Sequence, residues 1–133
     1  MADGAKFPNV PGAAELFAWF GFWPNFHDGE VLSAHLNRAG LSRLRVHTWE
    51  RTNELDSRRY YILRKHVIVT FILENISELQ LDGFSHQNIL AELTLTLDAD
   101  GCNLKLWPCY GISGEIKARS VRIELEPGIP INS

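Results

Sequence analysis

A short run with the sequence Phe-His-Asp-Gly-Glu carries the side chains best suited to chemistry in this chain. His27, Asp28 and Glu30 offer an imidazole and two carboxylates, which can bind a divalent metal ion or transfer protons if a turn brings them together. A metal site also needs ligands from elsewhere, for which His35 and His47 are available. The alternative is a turn in which these polar side chains hydrogen-bond backbone groups. We favour this structural role and assign no metal or cofactor.

The two available histidines are placed by a predicted β-hairpin around a turn at residues 39–42. If the apolar rows of the two strands share a face and Leu36 pairs with Val46, His35 and His47 lie directly opposite each other on the other face. Together they would form half of a metal site, with Trp49 as apolar cover. Histidines that are merely solvated or partly packed on the outer face of a sheet are commoner, and we expect that arrangement. Further available ligands without an assigned position are Glu50, His66 and His86.

The elements that must position these residues follow from the apolar spacing. A short helix is predicted near the N-terminus, where four large side chains share one stripe before Gly21 and Pro24 end it. Alternation with a period of two then predicts antiparallel strands, joined by short turns. The stripe consists of Leu16, Trp19, Phe20 and Trp23, and the strands are predicted at residues 30–38, 43–50, 65–75, 79–81, 89–98, 102–107 and after residue 114.

Several details of these strands are predicted individually. Residues 65–75 are apolar on both faces, which indicates a central covered strand. A turn at residues 75–77 separates it from a short return strand with Leu79 and Leu81. The polar residues 51–61 are interpreted as an exposed connection. A β-bulge near Arg119 and Ser120 would explain a shift of apolar phase in the last strand. The strand at residues 89–98 is expected to point Ile89, Ala91, Leu93, Leu95 and Leu97 inward.

These elements predict an α+β, mainly β fold: an antiparallel sheet or sandwich of about six to seven strands with a short N-terminal helix. The 133 residues are 45% apolar and 22% charged, a composition typical of a globular domain. No repeat or linker divides them. We therefore expect one domain over residues 1–133.

Composition also argues against several classes of protein. The net charge of −3 provides no field that would collect nucleic acids over the whole surface. No apolar run is long enough to span a bilayer, and no secretory pattern is present, so we expect a cytoplasmic protein without membrane partners. Cys102 and Cys109 would lie about 23 Å apart on one strand, which predicts two reduced thiols.

Local patterns that suggest other chemistry have simpler interpretations. Arginines and tyrosines at residues 58–65 resemble a single-strand nucleic-acid binder, but their more common role is an exposed approach to a core strand. The sequence Gly-Ile-Ser-Gly at residues 111–114 lacks the glycine spacing of a nucleophile elbow. The amides of residues 83–88 could satisfy backbone groups or face a partner. We assign no catalytic residue and do not expect an enzyme.

Two of these segments, residues 23–31 and 83–89, are related by their order and spacing. They read Trp-Pro-Asn-Phe-His-Asp-Gly-Glu-Val and Gly-Phe-Ser-His-Gln-Asn-Ile, and a weaker third element is Tyr-Gly at residues 110–111. Together they resemble the immunity protein 50 family of bacterial polymorphic toxin systems over most of the chain. The sequence departs from this family at Gly29, where alanine is expected, and at Ser85, where asparagine is expected.

The resemblance implies a cytoplasmic bacterial protein that binds and neutralises a cognate toxin domain, with no catalytic residue. We expect its motif residues to build the fold. Partner-specific surfaces generally vary between relatives, so toxin contacts are expected in exposed loops such as residues 51–59 and on charged strand faces. The motif residues carried over are Trp23, His27, Asp28, Glu30, Gln87 and Asn88.

Three functional hypotheses follow from the sequence. The first is an acidic binding protein that covers the active surface of a toxin. The second is a small metal-dependent enzyme that uses His27, Asp28 and Glu30 with a histidine from the sheet. The third is a β-sheet module in a homodimer, joined through strand edges or residues 58–65. Toxin binding and dimerisation are compatible with each other.

Overall fold

Three strands of this protein are longer than the sequence pattern predicts, namely Leu41–Leu55, Tyr61–Asp82 and Gly101–Tyr110. A computed structural model describes residues 7–131 and contains, within them, one helix and six strands. The predicted mainly β fold with a short N-terminal helix is confirmed. The elements are α1 Ala13–Phe20, β1 Glu30–His35, β2 Leu41–Leu55, β3 Tyr61–Asp82, β4 Ile89–Asp98, β5 Gly101–Tyr110 and β6 Ser113–Pro127.

All strand pairs are antiparallel, and the sheet closes on itself in the order β1-β2-β3-β6-β5-β4. The last contact of this ring is short, because β1 and β4 share a single residue pair, Glu30 with Ile89. Between the two architectures that the sequence leaves open, the structure has one closed sheet and not a sandwich. Closure gives the sheet an interior that alternate side chains of every strand can fill.

The interior holds the hydrophobic core, and α1 covers one end of it. Leu16 and Phe20 of the predicted stripe are buried with the side chains of the sheet. The helix ends as predicted at Gly21, whose φ of 84° is accessible to glycine and whose N–H donates to the Phe17 carbonyl at 2.7 Å. Trp23 lies beyond the helix. The fully buried sheet residues include Leu44, Val46, Val69, Phe71, Leu90, Leu104 and Ile116.

The middle of β3 is covered on both faces, as its sequence predicts. Val69 and Phe71 point into the closed sheet, whereas Ile68 and Ile72 are buried on its outside. Ile68 lies in a cleft with residues 129–131 near the C-terminus. Each fully buried side chain of this size contributes about 1.5–3 kcal/mol. This strand therefore connects the inner core to a smaller outer apolar layer.

The predicted turn at residues 75–77 and the return strand after it are wrong. β3 continues through this segment, and Leu79 and Leu81 pair with β6. Asn75 has a φ of 58°, and an extra residue between Ile76 and Glu78 shifts the register. Asparagine tolerates the left-handed region, so here it bends a strand without ending it. This bulge lies on β3, and no register shift is present at the predicted position near Arg119 and Ser120.

The predicted register of the first hairpin is also wrong. Val31, and not Leu36, pairs with Val46. A register shift between Val31 and Ser33 reverses the alternation, so that Val31 and Ala34 both face the core. Leu36 lies beyond the end of β1 and is 45% exposed. A single extra residue moves every following side chain to the opposite face.

Residues 51–61 are exposed as predicted, but they are not an irregular connection. β2 continues to Leu55 and β3 begins at Tyr61. Between them Asp56 forms the turn, because its Oδ1 accepts the N–H groups of Arg58 and Tyr60 at 2.8 and 3.0 Å. Residues 51–64 therefore form a projecting hairpin, which we call the arm.

Strand β4 differs from its prediction in the side chains it buries. Leu90, Leu93 and Leu95 point into the core, whereas Leu97 is 45% exposed. Irregular pairing with β5 on either side of Leu90 changes the phase of the strand. Cys102 is buried and Cys109 exposed, and both lie on the single strand β5 without a bond between them.

Within residues 7–131, no helix has the length and apolar character needed to cross a membrane.

Candidate functional site

The Phe-His-Asp-Gly-Glu turn lies where the closed sheet is joined. Phe26 and Asp28 both have a φ of 66°. The Phe26 ring is buried, with its centroid 5.7 Å from that of Phe71. The Asp28 N–H donates to the Leu90 carbonyl at 2.9 Å, and the Leu90 N–H donates to the Gly29 carbonyl at 2.8 Å. The turn thus ties β1 to β4 through its backbone.

Gly29 is tightly enclosed within this turn. A Cβ atom at this position would lie 3.0 Å from the Phe26 carbonyl oxygen and 3.3 Å from that of His47. The alanine of the resembled family would therefore require its neighbours to move by a few tenths of an ångström. Glycine at this position avoids both close contacts.

The side chains of His27 and Asp28 point outward and are 62% and 54% exposed. His27 Nδ1 lies 3.1 Å from the Ala91 carbonyl oxygen, so a proton on Nδ1 is donated to that oxygen. His27 Nε2 lies 3.6 Å from Asp28 Oδ1 and forms an ion pair with it only when the ring is protonated. An exposed pair of this kind contributes little to stability, but it presents a nitrogen and a carboxylate to solvent.

These two side chains border a cleft of about 340 Å³ between the turn and β2. Glu50 and Arg51, at the base of the arm, bring opposite charges to its other wall, and Trp49 adds an aromatic surface. The cleft combines charged and aromatic groups in the way small binding sites do. Its remaining lining residues are Phe20, Phe22, Pro24, Asn25, Phe26 and Thr48.

The side chain of Asn88 is buried, and both its oxygen and its nitrogen form hydrogen bonds. Its Oδ1 accepts the N–H groups of Ser85 at 2.8 Å and Ile112 at 3.2 Å. Its Nδ2 donates to the carbonyls of Ser85 at 2.8 Å and Val31 at 3.4 Å. One side chain therefore connects the loop after β3, the start of β1 and the loop before β6. We call Asn88, together with the backbone groups of Val31, Ser85 and Ile112 that it bonds, the Asn88 junction. Gln87, by contrast, is exposed.

The third element of the resemblance also lies at the Asn88 junction. Gly111 has a φ of 90°, and a Cβ atom there would lie 2.4 Å from the Gln87 carbonyl oxygen and 2.8 Å from Asn88 Oδ1. Only glycine fits this conformation and this spacing. All three segments that carry the resemblance therefore meet at one place.

The other motif residues lie around this region. Trp23 is half-buried, and its ring stacks on that of Phe7 with centroids 5.8 Å apart. Glu30 is half-buried on β1 and pairs with His47 on β2 and Ile89 on β4.

The predicted pairing of His35 with His47 is wrong, because His35 lies opposite Arg43. The structure instead places His47 Nε2 3.1 Å from His66 Nδ1, so that one ring donates a hydrogen bond to the other. Trp49 packs against both rings, with centroid distances of 4.8 and 5.9 Å. Burial and the neighbouring charge of His66 lower the pKa of His47, which favours its neutral form.

The metal candidates are not gathered into one cluster. His27 and Asp28 are adjacent, Glu30 and His47 are cross-strand neighbours, and His35 is exposed at the end of β1. Among residues 7–131, no three histidine, cysteine, aspartate or glutamate side chains are arranged to hold a metal ion.

We expect the histidine pair to make stability depend on pH. The pKa of His47 in the folded chain lies below its ordinary value of 6.5. The contribution of neutral His47 to the free energy of unfolding is therefore complete above pH 6.5 and is lost as pH falls through the lower pKa. His47→Gln should therefore show a smaller loss of unfolding free energy than the parent chain between pH 7.5 and 5. Urea titrations across this range measure the difference.

The control for this experiment is His35→Gln, which removes an exposed histidine on the neighbouring strand. It should keep the full pH dependence of the parent chain. His66→Gln should give an intermediate result, because it removes the charge repulsion and leaves the burial of His47 in place. An unchanged pH profile in His47→Gln would contradict the assignment.

Two features were missed by sequence reasoning. The sequence offers His66 only as an available ligand without a position, since its contact with His47 follows from the pairing of His47 with Ile68 across β2 and β3, a register that the sequence does not predict. The apolar alternation of Tyr61 and Leu63 in the arm was visible in the sequence, but the polar residues around it indicated a loop.

No protein-family model, no curated protein and no solved structure matches the chain.

Proposed function

We propose that this chain is an immunity protein that binds and neutralises a cognate bacterial toxin domain. The observation that carries the proposal is the meeting of the three resembling segments at the Asn88 junction. Residues 23–31, 83–89 and 110–111 are distant in sequence, yet Asn88 and the backbone around it join them. Segments that share one structural task are expected to keep their order and spacing together, which supports reading them as one family pattern.

The proposal assigns the Asn88 junction to the fold and the toxin contacts to the surface. Asn88 and Phe26 are buried and cannot touch a partner. Large exposed side chains elsewhere provide contact surfaces, among them Tyr60 at 66% and Tyr61 at 51%. Aromatic residues of this kind are enriched at protein interfaces. The net charge of −3 favours encounter with a basic toxin surface.

Neutralisation by binding needs no catalytic group in this chain. An immunity protein that covers the active surface excludes substrate from the toxin, and its effect is stoichiometric. The experiment is therefore a titration of toxin activity with purified protein. The toxin is the toxin domain encoded beside the gene of this chain, and the control is an unrelated toxin domain.

We expect inhibition to be complete at one equivalent, with a dissociation constant in the nanomolar range or below that is typical of tight protein complexes. Co-expression should also restore growth to cells that produce the toxin. Metal content is assayed on the same purified sample. Absence of binding and of protection would refute the proposal, and stoichiometric metal without a partner would favour the enzyme hypothesis and the side chains of His27, Asp28 and Glu30.

A further inference from the structure

The arm has one apolar face. Cross-strand partners point to the same side of a hairpin, and the pairs on this side are Arg51 with Leu63 and Leu55 with Tyr61. The guanidinium carbon of Arg51 lies 4.9 Å from the centre of the Tyr61 ring. Two aliphatic side chains, one aromatic ring and one stacked cation therefore form a continuous surface, which we call the arm face.

The polar groups on the opposite side of the arm form contacts within the arm itself. Arg64 pairs with Glu50 across the strands and donates to Glu54 Oε2 at 3.1 Å. The Thr52 hydroxyl donates to the Ile62 carbonyl at 2.8 Å. This side also carries the half-buried Ile62, but its polar groups bond within the arm, so the arm face is the more apolar of the two sides.

Nothing in residues 7–131 covers the arm face. The pairing of β1 with β2 stops at His47, and that of β6 with β3 starts at Val67, so the arm projects beyond both neighbouring strands. Leu55 and Tyr61 are each 51% exposed. An isolated two-stranded hairpin is only marginally stable in water, and a grouped set of exposed apolar side chains is typical of an interaction site.

The charge of the arm indicates the chemistry of its partner. Four arginines and two carboxylates give residues 51–64 a net charge of +2, which leaves −5 on the rest of the chain. Two arms facing each other in a homodimer would repel. Nucleic acid is disfavoured because Arg51 and Arg64 already contact Tyr61 and Glu54, and because the arm face between them exposes the apolar side chains of Leu55 and Leu63. An acidic protein surface suits the arm best.

We propose that the arm face is the docking surface for the toxin and inserts into an apolar patch rimmed by carboxylates. This inference rests on the proposed function. Tyr61 and Arg51 are of the residue types that dominate binding energy at interfaces. Arg58 and Arg59, exposed at the tip of the arm, accelerate encounter with the acidic rim. The basic arm and the acidic remainder of the chain thus select a toxin surface with charges of both signs.

The test measures the affinity of the neighbouring-gene toxin domain for three variants. Tyr61→Thr combined with Leu63→Thr removes the arm face and keeps residues with high strand propensity. Trp107→Thr is the matched control, because it removes an equally exposed aromatic residue from β5. Arg58→Gln combined with Arg59→Gln removes charge from the tip. Circular dichroism and thermal melting should be unchanged in all three, since none of these side chains is buried.

We expect the arm-face variant to weaken binding on the order of 100-fold through faster dissociation, whereas Trp107→Thr changes it by less than about threefold. The tip variant should slow association and reduce its salt dependence. Unchanged affinity in the arm-face variant, or an equal loss in Trp107→Thr, would overturn the inference and leave the immunity function intact. No binding by the parent chain would overturn both.

Two further measurements test whether the arm face binds a second copy of the chain or nucleic acid instead. Light scattering that shows a dimer in the parent chain and a monomer in the arm-face variant would assign the surface to a second copy. Binding of a fluorescent oligothymidylate that is lost with Arg58→Gln and Arg59→Gln would assign it to nucleic acid. Either result would overturn the docking of an acidic protein.

Discussion

Replacing Asn88 by alanine should lower the free energy of unfolding by about 3–4 kcal/mol. The substitution removes four hydrogen bonds and leaves the N–H groups of Ser85 and Ile112 without an acceptor. Each buried group left unsatisfied costs about 1–3 kcal/mol. Urea unfolding monitored by tryptophan fluorescence measures the loss, provided that the dependence on urea concentration stays constant.

Two companion variants identify the source of this loss. Gln87→Ala, at the exposed neighbouring position, should change stability by no more than about 0.5 kcal/mol. Asn88→Asp keeps an acceptor for the two N–H groups but sets a carboxylate against the carbonyls of Ser85 and Val31. It should therefore also be destabilising, and less so at low pH, where the carboxyl is protonated and can donate. A loss below about 1 kcal/mol in Asn88→Ala would show that the Asn88 junction relaxes or admits water.

Replacing Gly111 by alanine should cost about 3 kcal/mol, the second large effect. Its φ of 90° alone is unfavourable for alanine by about 1–2 kcal/mol. The added Cβ would also lie 2.4 Å from the Gln87 carbonyl oxygen, and overpacking of this kind adds about 1–3 kcal/mol. Thermal and urea unfolding both measure this cost.

A substitution at Gly21 separates the cost of the backbone conformation from the cost of the close contact. It has a similar φ of 84°, but a Cβ atom there meets nothing within 4 Å. Gly21→Ala should therefore show the conformational cost of about 1–2 kcal/mol alone. If Gly111→Ala costs no more than Gly21→Ala, the close approach of Gly111 to the Asn88 junction does not constrain the fold.

The sequence predicts the kinds of elements well because they depend on local patterns. The stripe that includes Leu16 and Phe20 predicts the helix, and apolar alternation predicts that residues 65–75 and 89–98 are strands. Register is less predictable. One extra residue between Val31 and Ser33 changes which side chains face inward, and its only trace in the sequence is a break in alternation.

Asn75 shows a related difficulty. The same residue type ends a strand in a turn or bends it at a bulge, and only the pairing of residues 79–82 with β6 decides between these outcomes. The length of β3 was therefore underestimated. The number of residues between apolar segments does not reveal whether a partner strand is present to continue the pairing.

The candidate site was predictable in part for the same physical reasons. The turn around His27 and Asp28 follows from local residue types. The contact between His47 and His66, in contrast, joins residues on two strands whose pairing is irregular at Thr48. Alternation within the first hairpin predicts His35 as the partner of His47, and it does not predict the register between β2 and β3 that brings His66 to His47.

The projection of the arm separates residues that are available for surface contacts from residues that stabilise the fold. No side chain within residues 51–64 is buried, whereas the Asn88 junction and the core are built from residues outside this range. Most substitutions in the arm can change an exposed contact without opening a cavity or breaking a buried hydrogen bond. A lineage of such proteins can thus exchange one partner for another by mutation of a single hairpin, while the stability margin of the closed sheet is left intact.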